Sequence, residues 1–132
     1  MLSSAMAEVT IAPGWDSVVE WFGFVPTFHD SEIVALELRR EPELSVLKLA
    51  YWRTNDDLTE AGTYRQDRHA IVVFEIDGIE ELRLDGWSKQ NVIDGLTIER
   101  SMSGFKLVFP QIYGVDGEIS ARRLAVRVEP TV

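Results

Sequence analysis

The sequence contains no cysteine, which excludes disulfide bonds and zinc sites built on thiolates. The absence also agrees with a reducing compartment, although many exported proteins lack cysteine as well. Histidine is scarce as well: only His29 and His69 occur, and no spacing joins either of them to further metal ligands. We therefore predict that the protein holds no metal and no cofactor.

Positive charge is in short supply. The chain has 13 Lys and Arg residues against 22 Asp and Glu residues, and its formal net charge is −9 at pH 7. A protein that binds nucleic acid has to neutralise several phosphates with Lys and Arg, so we predict no nucleic-acid partner. An acidic surface attracts a basic partner, although it also serves simply to keep a protein in solution.

Long apolar runs are missing too. No segment approaches the about 20 apolar residues of a membrane-spanning helix, so we expect no membrane partner. Residues 1–8 have neither the basic start nor the apolar centre of a signal peptide. The 132 residues, 45% of them hydrophobic, suit a single domain, 1–132, in which we expect residues 1–10 to be flexible.

One short helix is predicted near the N-terminus. Pro13 and Gly23 stand where the start and the end of a helix are favoured. Between them, apolar residues recur with the spacing of one helix face: Trp15, Val18, Val19 and Phe22. A helix of about two turns is not stable alone, so we expect this face to pack on the rest of the domain.

The remainder of the chain alternates apolar and polar residues, as strands with one buried face do. Pro42 separates the first two segments, 31–40 and 44–53, which predicts a hairpin. We predict a long mobile connection over 54–67 and a tight turn at Asp77-Gly78. The predicted fold class is mainly β (α+β): a strongly curved antiparallel sheet or half-barrel of about seven strands, with one short N-terminal helix packed on it.

The segment His29-Asp30-Ser31-Glu32 contains the side chains best suited to catalysis or metal binding. A histidine beside carboxylates can act as a base, bind a metal or contact a partner. A turn held by local side-chain hydrogen bonds accounts for the same residues, and we favour that interpretation. The chain has no nucleophile elbow and no phosphate-binding loop. We therefore predict no catalytic residue and expect that the protein is not an enzyme.

A family resemblance begins at the end of the predicted helix. The segment reads Trp21-Phe22-Gly23-Phe24-Val25-Pro26-Thr27-Phe28-His29-Asp30-Ser31-Glu32-Ile33. It resembles the immunity protein 50 family of bacterial polymorphic toxin systems, which opens with a Phe-Gly, Pro, Phe-His-Asp and Glu pattern before an alternating strand. Gln90-Asn91, within 84–93, is similar to the mid-chain element of that family. We expect the matching residues to be structural: Phe22, Gly23, Pro26, Phe28, His29, Asp30, Glu32, Gln90 and Asn91.

The resemblance implies a cytoplasmic protein that binds a cognate toxin and neutralises it by occlusion. From the acidic composition we expect that toxin to be basic. Our candidate contacts are aromatic anchors and nearby carboxylates: Trp52, Asp56, Asp57, Glu60, Tyr64 and Trp87, with Glu80, Glu81 and Asp85 adding negative charge. The alternative is a small-molecule-binding β module, or a weak enzyme, with a pocket near His29, Trp21 and Trp52.

Overall fold

The computed structural model describes residues 12–58, 60–62 and 64–131. The predicted flexible residues 1–10 lie outside these ranges. Within them the chain forms one helix and eight strands: α1 (Trp15–Phe22), β1 (Glu32–Glu37), β2 (Ser45–Leu58), β3 (Tyr64–Asp85), β4 (Val92–Ile93), β5 (Thr97–Ser101), β6 (Gly104–Phe109), β7 (Gln111–Tyr113) and β8 (Asp116–Pro130). No helix in the described ranges is long and apolar enough to cross a membrane.

The eight strands make a single sheet in the order β5-β6-β8-β3-β2-β1-β4-β7, and neighbouring strands pair in antiparallel fashion. The sheet curls strongly into a half-barrel with α1 packed on β8 and β3. The predicted fold class is therefore confirmed, with eight strands where the alternation indicated about seven. The predicted hairpin is formed by β1 and β2.

The predicted helix face is buried as expected. Val18 and Phe22 are fully buried and Trp15 is 6% exposed, while Val19 packs against the same core. Gly23 ends the helix in the left-handed region (φ 83°), and its N–H donates to the Val19 carbonyl at 2.8 Å. Only glycine adopts this conformation without strain, which explains its place at the helix end.

The predicted tight turn at Asp77-Gly78 is wrong. β3 continues through both residues, and β8 pairs with it on either side, from Asp77 opposite Arg123 to Ile79 opposite Ala121. Gly78 has a φ of 69°, and the register shifts between Ile79 and Glu81, which is a β-bulge. An Asp-Gly pair favours positive φ, and that conformation serves a bulge as well as a hairpin turn.

The predicted long connection over 54–67 is wrong for most of its length. β2 extends to Leu58 and β3 starts at Tyr64, so the two strands form a two-stranded ribbon beyond the rest of the sheet. Pairing persists with irregular register, for example between Thr54 and Gln66. The residues of 54–67 are mostly polar and lack the alternation of apolar and polar residues that reveals a half-buried strand, so the sequence pattern does not indicate the ribbon.

Candidate functional site

The link between α1 and β1 holds most of the residues for which we predict a structural role. Pro26 is buried and Phe28 is fully buried. The Phe28 ring lies 5.1 Å from the Tyr51 ring, 5.9 Å from the Phe74 ring and 6.1 Å from the Trp15 ring, measured between centroids. Phe28 thus joins the helix to the core of the sheet, which is a structural role.

Backbone hydrogen bonds fix this link against the strands beside it. The Leu96 N–H donates to the Thr27 carbonyl and the Asp30 N–H donates to the Ile93 carbonyl, both at 3.0 Å. Ser31, fully buried, donates its hydroxyl to the Ala50 carbonyl at 2.8 Å. Both Phe28 and Asp30 have positive φ, at 65° and 66°. Such values are unfavourable for side chains other than glycine, so the surrounding contacts must hold the backbone in place.

His29 projects from this fixed link into solvent between two carboxylates. Its Nδ1 lies 2.9 Å from the Asp94 carbonyl oxygen and 3.1 Å from Asp94 Oδ1, and its Nε2 lies 3.5 Å from Asp30 Oδ1. All three side chains are more than half exposed. The hydrogen bond to the Asp94 carbonyl and the negative charge of Asp30 raise the pKa of His29 above 6.5.

This arrangement stabilises a positively charged imidazole at the surface. Such a group can contact a polar partner or transfer a proton. In the part of the chain that the structure describes, no group of three or more His, Asp or Glu side chains could hold a metal ion.

The second motif, Gln90-Asn91, divides into one exposed and one buried residue. Gln90 is exposed, whereas Asn91 is 3% exposed. Asn91 Oδ1 accepts from the Ser88 N–H at 2.9 Å and from the Val115 N–H at 3.0 Å, and its Nδ2 donates to the Ser88 carbonyl at 2.9 Å. Asn91 therefore fastens the segment before β4 to the segment before β8. Glu32, at the start of β1, is half-buried and pairs with Ala50 and Val92.

Trp52 lies at the base of the ribbon, on the strand face opposite Tyr51. It is half-buried, and its ring lies 6.2 Å from the His69 ring between centroids. Nearby, the half-buried Trp21 donates its indole N–H to the Arg68 carbonyl at 3.0 Å, and the Arg68 guanidinium lies 4.6 Å from the Trp21 ring. Tryptophan and arginine are the residues most enriched at binding hot spots.

An ion pair completes the base of the ribbon. Arg53 donates to both carboxylate oxygens of Asp67, at 2.8 and 2.7 Å. Sequence reasoning missed Arg53, Arg68 and His69, because their contacts with Asp67, Trp21 and Trp52 depend on the pairing of β2 with β3 at the base of the ribbon, which the sequence pattern does not reveal. Their spacing along the chain carries no signal of this contact.

The other predicted contacts in this part of the chain lie further along the ribbon. Asp56 and Asp57 belong to the end of β2 and Tyr64 starts β3, but their side chains lie outside the described residues. Glu60 is exposed in the turn between the two strands.

Trp87 and its acidic neighbours lie at the opposite end of β3. Trp87 is 52% exposed, and Glu80, Glu81 and Asp85 are exposed. His69, whose ring lies beside that of Trp52, and Asp85 are 16 residues apart in β3. This spacing corresponds to about 50 Å along a strand. The predicted contacts therefore form two separate surfaces, one on the ribbon and one at the C-terminal end of β3.

Two open depressions lie beside the turn between β1 and β2. One, of about 450 Å³, is bordered by that turn and by Gly78 and Ile79. The other, of about 810 Å³, lies between the same turn and the outer side of β2, near Lys48 and Arg127. Neither is lined by His29, Trp21 or Trp52, the residues around which the alternative hypothesis places a ligand pocket.

Comparison with known proteins gives no assignment: no protein-family model, curated protein or solved structure matches the chain.

Proposed function

We propose that this protein is an immunity protein, a cytoplasmic inhibitor that binds a basic toxin of a bacterial polymorphic toxin system and occludes it. The observation that carries the proposal is the segment 21–33, with its Phe-Gly, Pro, Phe-His-Asp and Glu pattern. In the structure this pattern joins α1 to the sheet, with Phe22 and Phe28 in the core. A signature made of such residues defines a scaffold and leaves the contact surface free to vary.

The charge of the chain supports a basic partner. An excess of 22 acidic over 13 basic side chains raises the rate of encounter with a positively charged protein. Salt screens this attraction over about 8–10 Å at ordinary ionic strength. We therefore expect the association rate constant with the toxin to fall as salt is added, whereas the dissociation rate constant depends on desolvated anchors such as Trp52 and Trp87.

The direct test is co-expression with the toxin domain encoded by the neighbouring gene. The protein should restore growth to cells that express the toxin, and the two chains should co-purify. A matched control is a variant that does not fold, such as one with Phe22 and Phe74 both replaced by aspartate, which should rescue nothing. If the folded protein neither rescues growth nor binds the toxin, the proposal is wrong.

A further inference from the structure

Part of one edge of β3, the longest strand, is unpaired in the portion of the chain that the structure describes. β2 begins at Ser45, opposite Ile76 of β3, so β3 continues past the start of β2 towards Asp85. From Ile79 to Asp85, β3 pairs with β8 on one side only. Within the described ranges, no other segment forms a backbone hydrogen bond with 79–85. We call this segment, residues 79–85, the free edge.

The core-facing side of the free edge is partly exposed to solvent. Leu82 lies opposite Ile119 of β8 and Leu84 lies opposite Gly117, and residues directly opposite share a face of the sheet. Ile119 is fully buried, but Leu82 is 40% and Leu84 is 36% exposed. The apolar face of the sheet therefore reaches this edge and stops there, where one more strand would cover both leucines.

The outer side of the free edge is acidic. Alternation places Glu81, Arg83 and Asp85 on this side. Arg83 forms ion pairs with Asp116 at 2.9 Å and Glu118 at 3.7 Å, so its charge is directed towards β8. With Glu80, the segment holds three carboxylates and one guanidinium, a net charge of −2 from −3 and +1. An incoming strand thus meets negative charge on one face and leucine on the other.

We propose that the free edge of β3 accepts an extended basic segment of the partner protein as an additional strand, placed in line with β2. This inference rests on the proposed function in taking the toxin as that partner. Edge addition supplies backbone hydrogen bonds, and alternate side chains supply specificity. The matching segment alternates apolar residues beside Leu82 and Leu84 with Lys or Arg beside Glu81 and Asp85. A second copy of this chain fits less well, because it brings another net charge of −9.

The first experiment measures amide exchange with a defined probe. The probe is a capped peptide of about seven residues in which lysine and valine alternate, compared with a glutamate–valine peptide of equal length. Alternate residues of 79–85 direct their N–H groups away from β8, and these should exchange quickly in the free protein. They should be protected by the lysine peptide and not by the glutamate peptide. A lysine peptide methylated on alternate backbone nitrogens should give no protection, since it keeps its charge but cannot pair.

A charge-reversed variant separates strand addition from general attraction. In the double variant Glu81→Lys and Asp85→Lys, the lysine peptide should bind about tenfold more weakly and the glutamate peptide correspondingly better. The control variant, Glu20→Lys with Glu99→Lys, makes the same change in net charge at exposed positions on α1 and β5. It should leave the preference for the lysine peptide in place. An equal effect in both variants would show that only net charge matters and would overturn the proposal.

The toxin then distinguishes failure of this inference from failure of the proposed function. If the toxin binds and the alternate amides of 79–85 become protected, the free edge is its docking site. If the toxin binds without changing their exchange, the edge proposal is wrong and the proposed function stands. If no toxin binds, the proposed function fails, and the peptide measurements still decide whether the edge accepts a basic strand. Dimerisation through 79–85, detected by light scattering and the same exchange pattern, would make a second copy the occupant and overturn the proposal.

Discussion

The two carboxylates beside His29 offer a matched test of backbone strain. Asp30 and Asp94 are similarly exposed, at 57% and 59% of the side chain, and each lies within 3.5 Å of the imidazole. They differ in backbone conformation, because Asp30 has a positive φ of 66° and Asp94 does not have a positive φ. Replacing each aspartate by alanine and by glycine therefore isolates the effect of φ.

The expected difference follows from two opposing effects. A side chain in the left-handed region costs about 1–2 kcal/mol, which glycine avoids. Glycine in turn loses about 0.5–1 kcal/mol more than alanine in chain entropy on folding. At position 30 the first effect is larger, so the glycine variant should be more stable than the alanine variant by about 0.5–1 kcal/mol. At position 94 only the second operates, so the alanine variant should be the more stable by about 0.5–1 kcal/mol.

Urea unfolding of the four single variants, analysed as a two-state transition with a common slope, measures these differences. Loss of a carboxylate next to His29 occurs at both positions, and it is the same for alanine and glycine, so it cancels within each pair. The sign of the glycine-minus-alanine difference should reverse between the two positions. If alanine were more stable than glycine at position 30 by the same margin as at position 94, the backbone of the link would not be strained and the prediction would be wrong.

Three further predictions concern the residues that build and surround the link. In urea unfolding, Asn91→Ala should lower the free energy of unfolding by about 3 kcal/mol, because it removes three hydrogen bonds and leaves the buried Val115 N–H unpaired. The control Gln90→Ala, at an exposed position, should change the free energy of unfolding by less than about 0.5 kcal/mol. Phe22→Ala should cost about 3–5 kcal/mol by the same method, several times more than Phe24→Ala, since Phe22 is fully buried and Phe24 is 39% exposed. The pKa of His29, followed by NMR titration, should lie above 6.5 and fall in the variant Asp30→Asn, and a His29 pKa at or below 6.5 would contradict the geometry. The stability that protonated His29 contributes is fully present below pH 6.5 and is lost as the pH rises through the higher pKa of the folded state.

The sequence allowed the helix and the half-barrel to be predicted, because each depends on local periodicity. Trp15, Val18 and Phe22 have the spacing of one helix face, and their burial follows from that spacing alone. The Asp77-Gly78 pair shows the limit of local reasoning. The conformation it favours fits a turn and a bulge equally, and only the pairing of both flanks with β8 decides between them.

The surfaces were harder to predict than the fold. The candidate contacts lie on two surfaces at opposite ends of β3, because the turn predicted at Asp77-Gly78 is absent and β3 runs through 22 residues without a break. The contacts of Trp21 with Arg68 and of Trp52 with His69 lie at the base of a ribbon that the polar sequence over 54–67 does not reveal. The free edge could not be predicted either, since it depends on β3 extending past the start of β2.

The pairing of β3 with β8 also has a consequence for the folding rate. Along this ladder the paired residues are separated by 60 positions at one end, Ala70 with Pro130, and by 31 at the other, Asp85 with Asp116. Contacts so distant in sequence require a large loss of chain entropy before they contribute stability. The hairpins β1–β2 and β5–β6 are local by comparison, and the β2–β3 hairpin can form outwards from Leu58 and Tyr64, which are close in sequence. The association of β3 with β8 should therefore limit the rate of folding to the millisecond-to-second range typical of non-local β topologies.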